Sequence, residues 1–302
     1  MNLEDILKKA AYKVWKEMPE VHRDNDFVIF DVREEALTTM ALREIYKFKS
    51  GNIEKIKMIS ATAENLQGYD FELVIGSKAR GKYIRMFIQA KRLFGQNTNG
   101  EYRSLHYDVK RKDNQTDILL SYAKKESSLA MYAFFNHLDE KNSVLKDYYN
   151  SSTEFNRKSL GITITSAYSI KITGSNKFKA YHSNNGIRVN QSLYSLRNFP
   201  DLFYHHNGTR NNLAVPFHEI SYLTIDFAEI INKLYRRIRT NPLRRLNYYY
   251  YFPPLDYFFD NGKDLIPILN TSVEELELDF LKREKNESYN PKALIILDTD
   301  QK

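Results

Sequence analysis

The chain has 302 residues and a formal net charge of +7, and 42% of its residues are hydrophobic. This composition is typical of a globular protein, and the basic excess permits a polyanionic partner without proving one. The chain contains no cysteine, which excludes disulfides and thiolate zinc sites and suits a cytoplasmic location. No apolar run of about eighteen residues occurs, so the sequence predicts no membrane span.

The N-terminal part predicts two helices separated by a short strand. Apolar residues recur at helical spacing from Leu3 to Met18, which predicts an amphipathic structural helix. An apolar strand is expected at 27–32, and a second helix is expected from Arg33 to Phe48. One apolar face of that second helix is expected to pack on a sheet.

A β-hairpin is predicted next, because Gly76 and Gly81 lie between two apolar stretches. Asp113 or Asn114 is expected to cap a third helix. The stretch 129–136 is short and aromatic, which favours a buried strand. This order of elements predicts an α/β fold with a mixed sheet.

The second half of the chain predicts fewer elements. Strands are expected at 161–172 and 293–298, and a helix is expected at 227–239. No internal repeat and no linker rich in glycine, serine or proline occurs. One elaborated α/β domain is therefore expected over residues 1–302.

The hairpin carries polar residues that an apolar strand does not need. Side chains alternate between the two faces of a strand, so Asp70 and Glu72 share one face. Gln89 and Lys91 point the same way on the returning strand, with Ala90 opposite. Antiparallel pairing then brings Asp70 beside Gln89 and Lys91, and places a carboxylate, an amide oxygen and an ammonium in one small volume.

These groups suit the hydrolysis of a phosphodiester. Mg²⁺ binds one or two carboxylates and other oxygen ligands, and it keeps several waters. The ion lowers the pKa of a bound water and neutralises phosphate charge. Lys91 is expected to orient the attacking water, to help deprotonate it, or to stabilise charge in the transition state. The sequence does not rank these three roles.

Asp70, followed after 18 residues by Gln89, Ala90 and Lys91, resembles the motif of the PD-(D/E)XK nuclease superfamily. The match is to its Gln-x-Lys variant, as in Mrr-type restriction endonucleases. The resemblance covers residues 28–136 and includes the stretches REEALT, ENLQGYDFELVI, FIQAKRL, NQTDILLSYA and MYAFFN. These stretches also resemble a set of bacterial proteins that share this core.

The resemblance implies a restriction-endonuclease-like core at 28–136 and an α/β elaboration at 137–302. It implies a Mg²⁺-dependent DNA endonuclease, with Mn²⁺ as a substitute metal and a role in anti-phage or foreign-DNA defence. An RNase and a catalytically silent module that binds nucleic acid or protein are the alternatives. The implied partners are nucleic acid, DNA in particular, and a homodimer mate or a defence-system protein, with no membrane.

The resemblance also assigns site residues. The catalytic set is Glu34, Asp70, Gln89 and Lys91, and the metal ligands are Asp70, Gln89 and Glu64. Glu35 is the alternative to Glu34, and Glu64 is otherwise the approach to a turn. Gln89 is neutral where a carboxylate is common in the superfamily, so Glu64 or Glu34 is expected to supply the missing charge.

Each of these residues also has a structural interpretation. Asp70 follows Gly68 and is alternatively a turn residue. Lys91 and Arg92 are alternatively a solvated strand end, and Glu72 is expected to be structural or to support the site. Gln115 shares a helical face with Leu119 and Tyr122 and could reach the site, but a surface glutamine is the commoner case.

A basic and aromatic segment at 235–252 is the predicted nucleic-acid surface, since cations contact phosphates and tyrosines stack on bases. An exposed basic helix packed by aromatic residues explains the segment equally well. The predicted contacts are Arg92, Arg236, Arg237, Arg239, Arg244 and Arg245.

Overall fold

The computed structural model describes residues 2–20, 34–47, 53–58, 68–94, 101–102, 108–109, 113–137, 161–167, 170–171, 187–188, 215–239, 266–286 and 293–299. Its α-helices are α1 (Leu3–Glu20), α2 (Glu34–Lys47), α3 (Gln115–Lys125), α4 (Ile225–Arg239) and α5 (Val273–Asn286). A 3₁₀ helix at Phe217–Tyr222 precedes α4 and packs on α1.

Seven strands form the main path of one mixed sheet. They are β1 (Ile53–Met58), β2 (Phe71–Ser77), β3 (Lys82–Phe94), β7 (Leu129–Phe135), β8 (Ile162–Ser166), β10 (Val215–Pro216) and β12 (Ala293–Asp298). Five further two-residue strands lie off this path. Three of them join the same sheet, namely β4 (Glu101–Tyr102), β9 (Ile187–Arg188) and β11 (Leu269–Asn270), whereas β5 (Asp108–Val109) and β6 (Asp113–Asn114) pair with each other in a separate sheet.

The sheet order is β1-β12-β2-β3-β7-β8-β10. β12 runs parallel to β2, and β3 runs parallel to β7, whereas the other neighbours on this path are antiparallel. β12 comes from the far end of the chain and lies between β1 and β2. The predicted α/β class, with a mixed sheet flanked by helices, is confirmed.

The strands near the centre of the sheet are apolar because helices cover both faces. Every residue of β2, β7 and β12 is buried. On one face α5 packs Leu276 and Phe280 against Val74, Leu294 and Ile296. The larger apolar cluster contains the buried residues of α1 and α2, together with Leu73 and Ile75 from β2. The hairpin strands therefore lie between two apolar layers.

Most predicted elements within the described residues are present. The hairpin, the first three helices, α4, β7 and β12 are confirmed, whereas the stretch 27–32 lies outside the described residues. The strand predicted at 161–172 is shorter, because β8 ends at Ser166 and Ala167 is already helical. Ala167 and Ile170 are both buried three residues apart, a helical spacing that the alternation in β8 concealed.

Helix α5 was not predicted, because its sequence is strongly charged and few of its residues face the core. A capping box marks its start, and this signal is readable from sequence. Ser272 Oγ accepts a hydrogen bond from the Glu275 backbone N at 3.2 Å, and Glu275 Oε2 accepts one from the Ser272 backbone N at 3.1 Å.

Gly161 marks a close approach between β8 and α1. A Cβ at this position would lie 1.7 Å from the carbonyl oxygen of Ala11 and 2.8 Å from the backbone N of Trp15. We expect Gly161→Ala to lower the free energy of unfolding by about 2 to 3 kcal/mol, because α1 must shift to admit the methyl group.

Gly81 provides the control, because a Cβ there would meet only the Thr271 carbonyl oxygen at 3.4 Å. Its φ of +59° still makes alanine unfavourable, by about 1 kcal/mol. Urea unfolding followed by circular dichroism measures both variants. A smaller loss for Gly161→Ala than for Gly81→Ala would contradict the close packing of α1 on this glycine.

Candidate active site

The open end of the β2–β3 hairpin holds Asp70 in a fixed position. Asp70 directly precedes β2, and its backbone N donates a 2.8 Å hydrogen bond to the Ile88 carbonyl. Its Oδ2 accepts a 2.7 Å hydrogen bond from the Ala90 backbone N and another from Gln89 Nε2. Asp70 is therefore bound to the neighbouring strand through both its backbone and its side chain.

Glu34, the first residue of α2, reaches the same strand. Its Oε1 accepts a 3.2 Å hydrogen bond from the Arg92 backbone N, and its Oε2 lies 3.9 Å from Lys91 Nζ. Lys91 is only 5% exposed, so it is not a solvated strand end. Glu35 is exposed at the helix surface. Of the two predicted glutamates, Glu34 is thus the one directed at β3.

The charge on Asp70 acts on the Glu34 carboxyl group. Burial raises the pKa of Glu34, Lys91 opposes this shift, and the charge on Asp70 adds to it. Burial likewise raises the pKa of Tyr132, a β7 residue paired with Gln89, and the charges on Asp70 and Glu34 contribute. Asp70 and Glu34 are therefore close enough to interact, and a cation beside them would stabilise their charged forms.

Gln89 links the strand to helix α3. It is 3% exposed, its Nε2 faces Asp70, and its Oε1 accepts a 2.9 Å hydrogen bond from Gln115 Nε2. Gln115 is the first residue of α3, which Asn114 caps by accepting a hydrogen bond from the Thr116 backbone N. The sequence favoured a surface position for Gln115, but the face it shares with Leu119 brings it to the site.

Two carboxylates and one amide are the candidate metal donors at this end of the hairpin. The described residues contain no group of three or more His, Cys, Asp or Glu side chains that could hold a metal. Two carboxylates, Asp70 and Glu34, suffice for an ion that keeps waters and also accepts amide oxygens. Gln89 would offer its oxygen to a cation after rotation of its amide, since it now directs Nε2 at Asp70. Glu64 lies outside the described residues.

The structure describes the side chains of three of the six predicted phosphate contacts. Arg92 is only 8% exposed, which contradicts its interpretation as a solvated strand end and as an open surface cation. Arg236 and Arg237 are exposed on α4. Arg239 is the last residue of α4, whereas Arg244 and Arg245 lie outside the described residues.

Helix α4 is joined to the turn of the hairpin, which is the end of β3 away from Gln89. Arg80 contacts Asp226 at 2.5 Å and Glu229 at 2.9 Å, and Lys82 contacts Glu229 at 2.7 Å. The seven residue-to-residue steps from Lys82 to Gln89 span roughly 23 Å of strand. The start of α4 is therefore well separated from the carboxylates.

The fold defines an α/β protein with a mixed sheet, and Glu34, Asp70, Gln89 and Lys91 lie at the open end of its central hairpin. The chain belongs to a family of unknown function, DUF6615, whose profile matches residues 3–293. The match begins at the first residue of α1 and ends at the first residue of β12. No curated protein matches the chain. Within the described residues, no helix has the length and apolar character needed to cross a membrane.

Proposed function

We propose that this protein is a Mg²⁺-dependent nuclease with a restriction-endonuclease-like core, and that its substrate is DNA. One observation carries the proposal. Asp70 with Gln89, and Glu34 with Lys91, meet at the open end of a single hairpin although they come from three separate segments of the chain. Two carboxylates, an amide and an ammonium are the groups that metal-assisted phosphodiester hydrolysis uses.

The physical cost of this arrangement supports a chemical role. Moving a carboxylate or an ammonium out of water costs several kcal/mol per ion unless partners replace the lost hydration. Lys91 is 5% exposed, and its ion pair with Glu34 is long, at 3.9 Å. A strand end in an apolar sheet gains little from such groups, whereas a phosphate and a cation would compensate them.

The residues of the site divide the work between them. Asp70 and Glu34 would hold the ion with Gln89, and backbone donors at Ala90 and Arg92 orient the two carboxylates. When bound, Mg²⁺ would supply an activated water and neutralise charge on the phosphate. Lys91 would orient the attacking water, help to deprotonate it, or stabilise charge on the phosphate in the transition state. Glu64 remains a further predicted ligand.

Gln115 contacts the site through Gln89. Its Nε2 donates a 2.9 Å hydrogen bond to Gln89 Oε1, so α3 sets the orientation of the Gln89 amide. The Oε1 of Gln115 is buried and makes no hydrogen bond within the described part of the chain. Rotation of both amides would let Gln115 accept from Gln89 while Gln89 presents its oxygen to a cation.

DNA is proposed over RNA because the Gln-x-Lys motif resembles that of restriction endonucleases. The net charge of +7 favours a polyanion of either kind. A role in defence against foreign DNA, with a homodimer mate or a defence-system partner protein, rests on the same resemblance. A cytoplasmic location remains part of this proposal.

The direct test incubates the purified protein with plasmid, linear duplex, single-stranded DNA and RNA, each in Mg²⁺, Mn²⁺ or EDTA. We expect nicking or cleavage of DNA that requires the metal and stops in EDTA. Faster cleavage of RNA would change the substrate and keep the mechanism. Binding without cleavage under every condition would favour a catalytically silent module.

Lys91→Met separates chemistry from binding. We expect its cleavage rate at saturating DNA to fall by about 10² to 10³-fold, because one charged group acting on the transition state is removed. Its affinity for DNA should change little. Lys47→Met is the matched control, because Lys47 is an exposed lysine at the C-terminal end of α2, whereas Glu34 begins that helix. Equal rates for the two variants would remove Lys91 from the active site.

The exposed arginines of α4 are expected to act on binding alone. Arg236→Glu with Arg237→Glu should weaken DNA affinity and lower the slope of log K against log salt by about one for each phosphate that the protein no longer neutralises. The cleavage rate at saturating DNA should stay unchanged. Lys124→Glu with Lys125→Glu is the control, since these exposed residues end α3. Equal salt slopes in both double variants would place the DNA surface elsewhere.

A further inference from the structure

A buried ion network lies two residues from Asp70. Glu72 is fully buried, and its Oε2 lies 2.9 Å from Arg283 Nη2 on α5 while its Oε1 lies 3.1 Å from Arg85 Nε on β3. Asp279 completes the network, at 2.8 Å from Arg85 Nη2 and 3.2 Å from Arg283 Nη2. Glu126 adds a third carboxylate, with its Oε2 at 4.0 Å from Arg85 Nη1, and Asp279 lies at the edge of the network, where its side chain is 44% exposed.

The residue on the other side of Asp70 is held by aromatic packing. The rings of Tyr69 and Phe87 lie 4.5 Å apart, and Tyr122 of α3 stacks on Tyr69 at 5.5 Å. Arg283 lies over the Phe87 ring at 5.5 Å, so the same guanidinium touches both groups. Asp70 therefore lies between Tyr69 and Glu72, of which Glu72 contacts α5 directly and Tyr69 packs on Phe87, which Arg283 of α5 also contacts.

A network of this kind stabilises a fold poorly. Apolar residues of similar volume often replace buried ion pairs without loss, or with a gain, of stability. An ion pair does fix direction and distance, because a guanidinium bonds a carboxylate in few geometries. The network thus explains how the start of β2 is held at a set position relative to β3 better than it explains stability.

We infer that Arg283 is a positioning residue for Asp70: through Glu72 it fixes the start of β2, and so sets the Asp70 carboxylate against Gln89 and the Ala90 backbone N. This inference rests on the proposed nuclease function. It also gives a role to α5, which lies outside the residues 28–136 that resemble known nucleases. The site is then complete only when α5 is packed on the hairpin.

Two variants test the inference, each measured for Mn²⁺ affinity by electron paramagnetic resonance and for DNA cleavage. Arg283→Lys keeps the charge but loses the guanidinium geometry. The double variant Glu72→Met with Arg283→Met removes the ion pair but keeps apolar volume, and Arg85 retains Asp279 as a partner. Lys282→Met is the control, because Lys282 is the exposed neighbour of Arg283.

We expect both test variants to bind Mn²⁺ about 10-fold more weakly and to have a kcat about 10-fold lower, since shifting a ligand's support commonly costs 10 to 100-fold. The KM for DNA should not change. The free energy of unfolding of the double variant should be no lower than that of the wild type. If Arg283 and Glu72 acted only on stability, this variant would therefore keep its Mn²⁺ affinity.

The wild type must first bind Mn²⁺ and cleave DNA. If it does, test variants whose Mn²⁺ affinity and kcat equal those of Lys282→Met would overturn the positioning role alone. A wild type that neither binds Mn²⁺ nor cleaves nucleic acid would overturn the proposed function, and the positioning role with it.

Discussion

The carboxylate of Asp70 ties the two central strands together at their open end. Its Oδ2 accepts hydrogen bonds from the Ala90 backbone N and from Gln89 Nε2. A side chain thus provides the acceptor for the Ala90 N–H that a backbone carbonyl would provide in a continuing β ladder. The bond to Ala90 leaves Gln89 and Lys91 on either side of the anchored residue. The positions of the amide and the ammonium therefore depend on this contact.

The apolar sheet makes such a site possible. The strands β2, β7 and β12 are buried along their whole length, and helices pack on both faces of the sheet. Groups carried on rigid elements hold their geometry better than groups on loops. Three helices then supply what the strands cannot: α2 brings Glu34, α3 brings Gln115, and α5 brings Arg283.

Local pattern was enough to predict the hairpin and much of its polar end. The turn between Gly76 and Gly81 fixes the strand register, and period-two alternation then places Asp70 beside Gln89. The helical face shared with Leu37 and Ala41 selected Glu34 over Glu35 for the contact with β3. In each case the spacing of a few neighbouring residues carries the information.

Long-range packing could not be predicted in this way. Nothing local in ALIILD indicates that β12 inserts beside β2, and nothing local in the charged helix α5 indicates that Arg283 meets Glu72. The burial of Arg92 and the inward direction of Gln115 depend on helices that pack over the strand. These features follow from tertiary contacts between segments that lie far apart in sequence.

The central claim is that the Asp70, Glu34 and Gln89 side chains hold a divalent cation. Crystals of the protein soaked in Mn²⁺ test it most directly, through the anomalous scattering of the metal. The account predicts one strong peak within about 2.0 to 2.4 Å of an Asp70 carboxylate oxygen, with the amide oxygen of Gln89 turned toward it. A saturated soak with no peak there, or with manganese bound only at other carboxylates, would contradict the account.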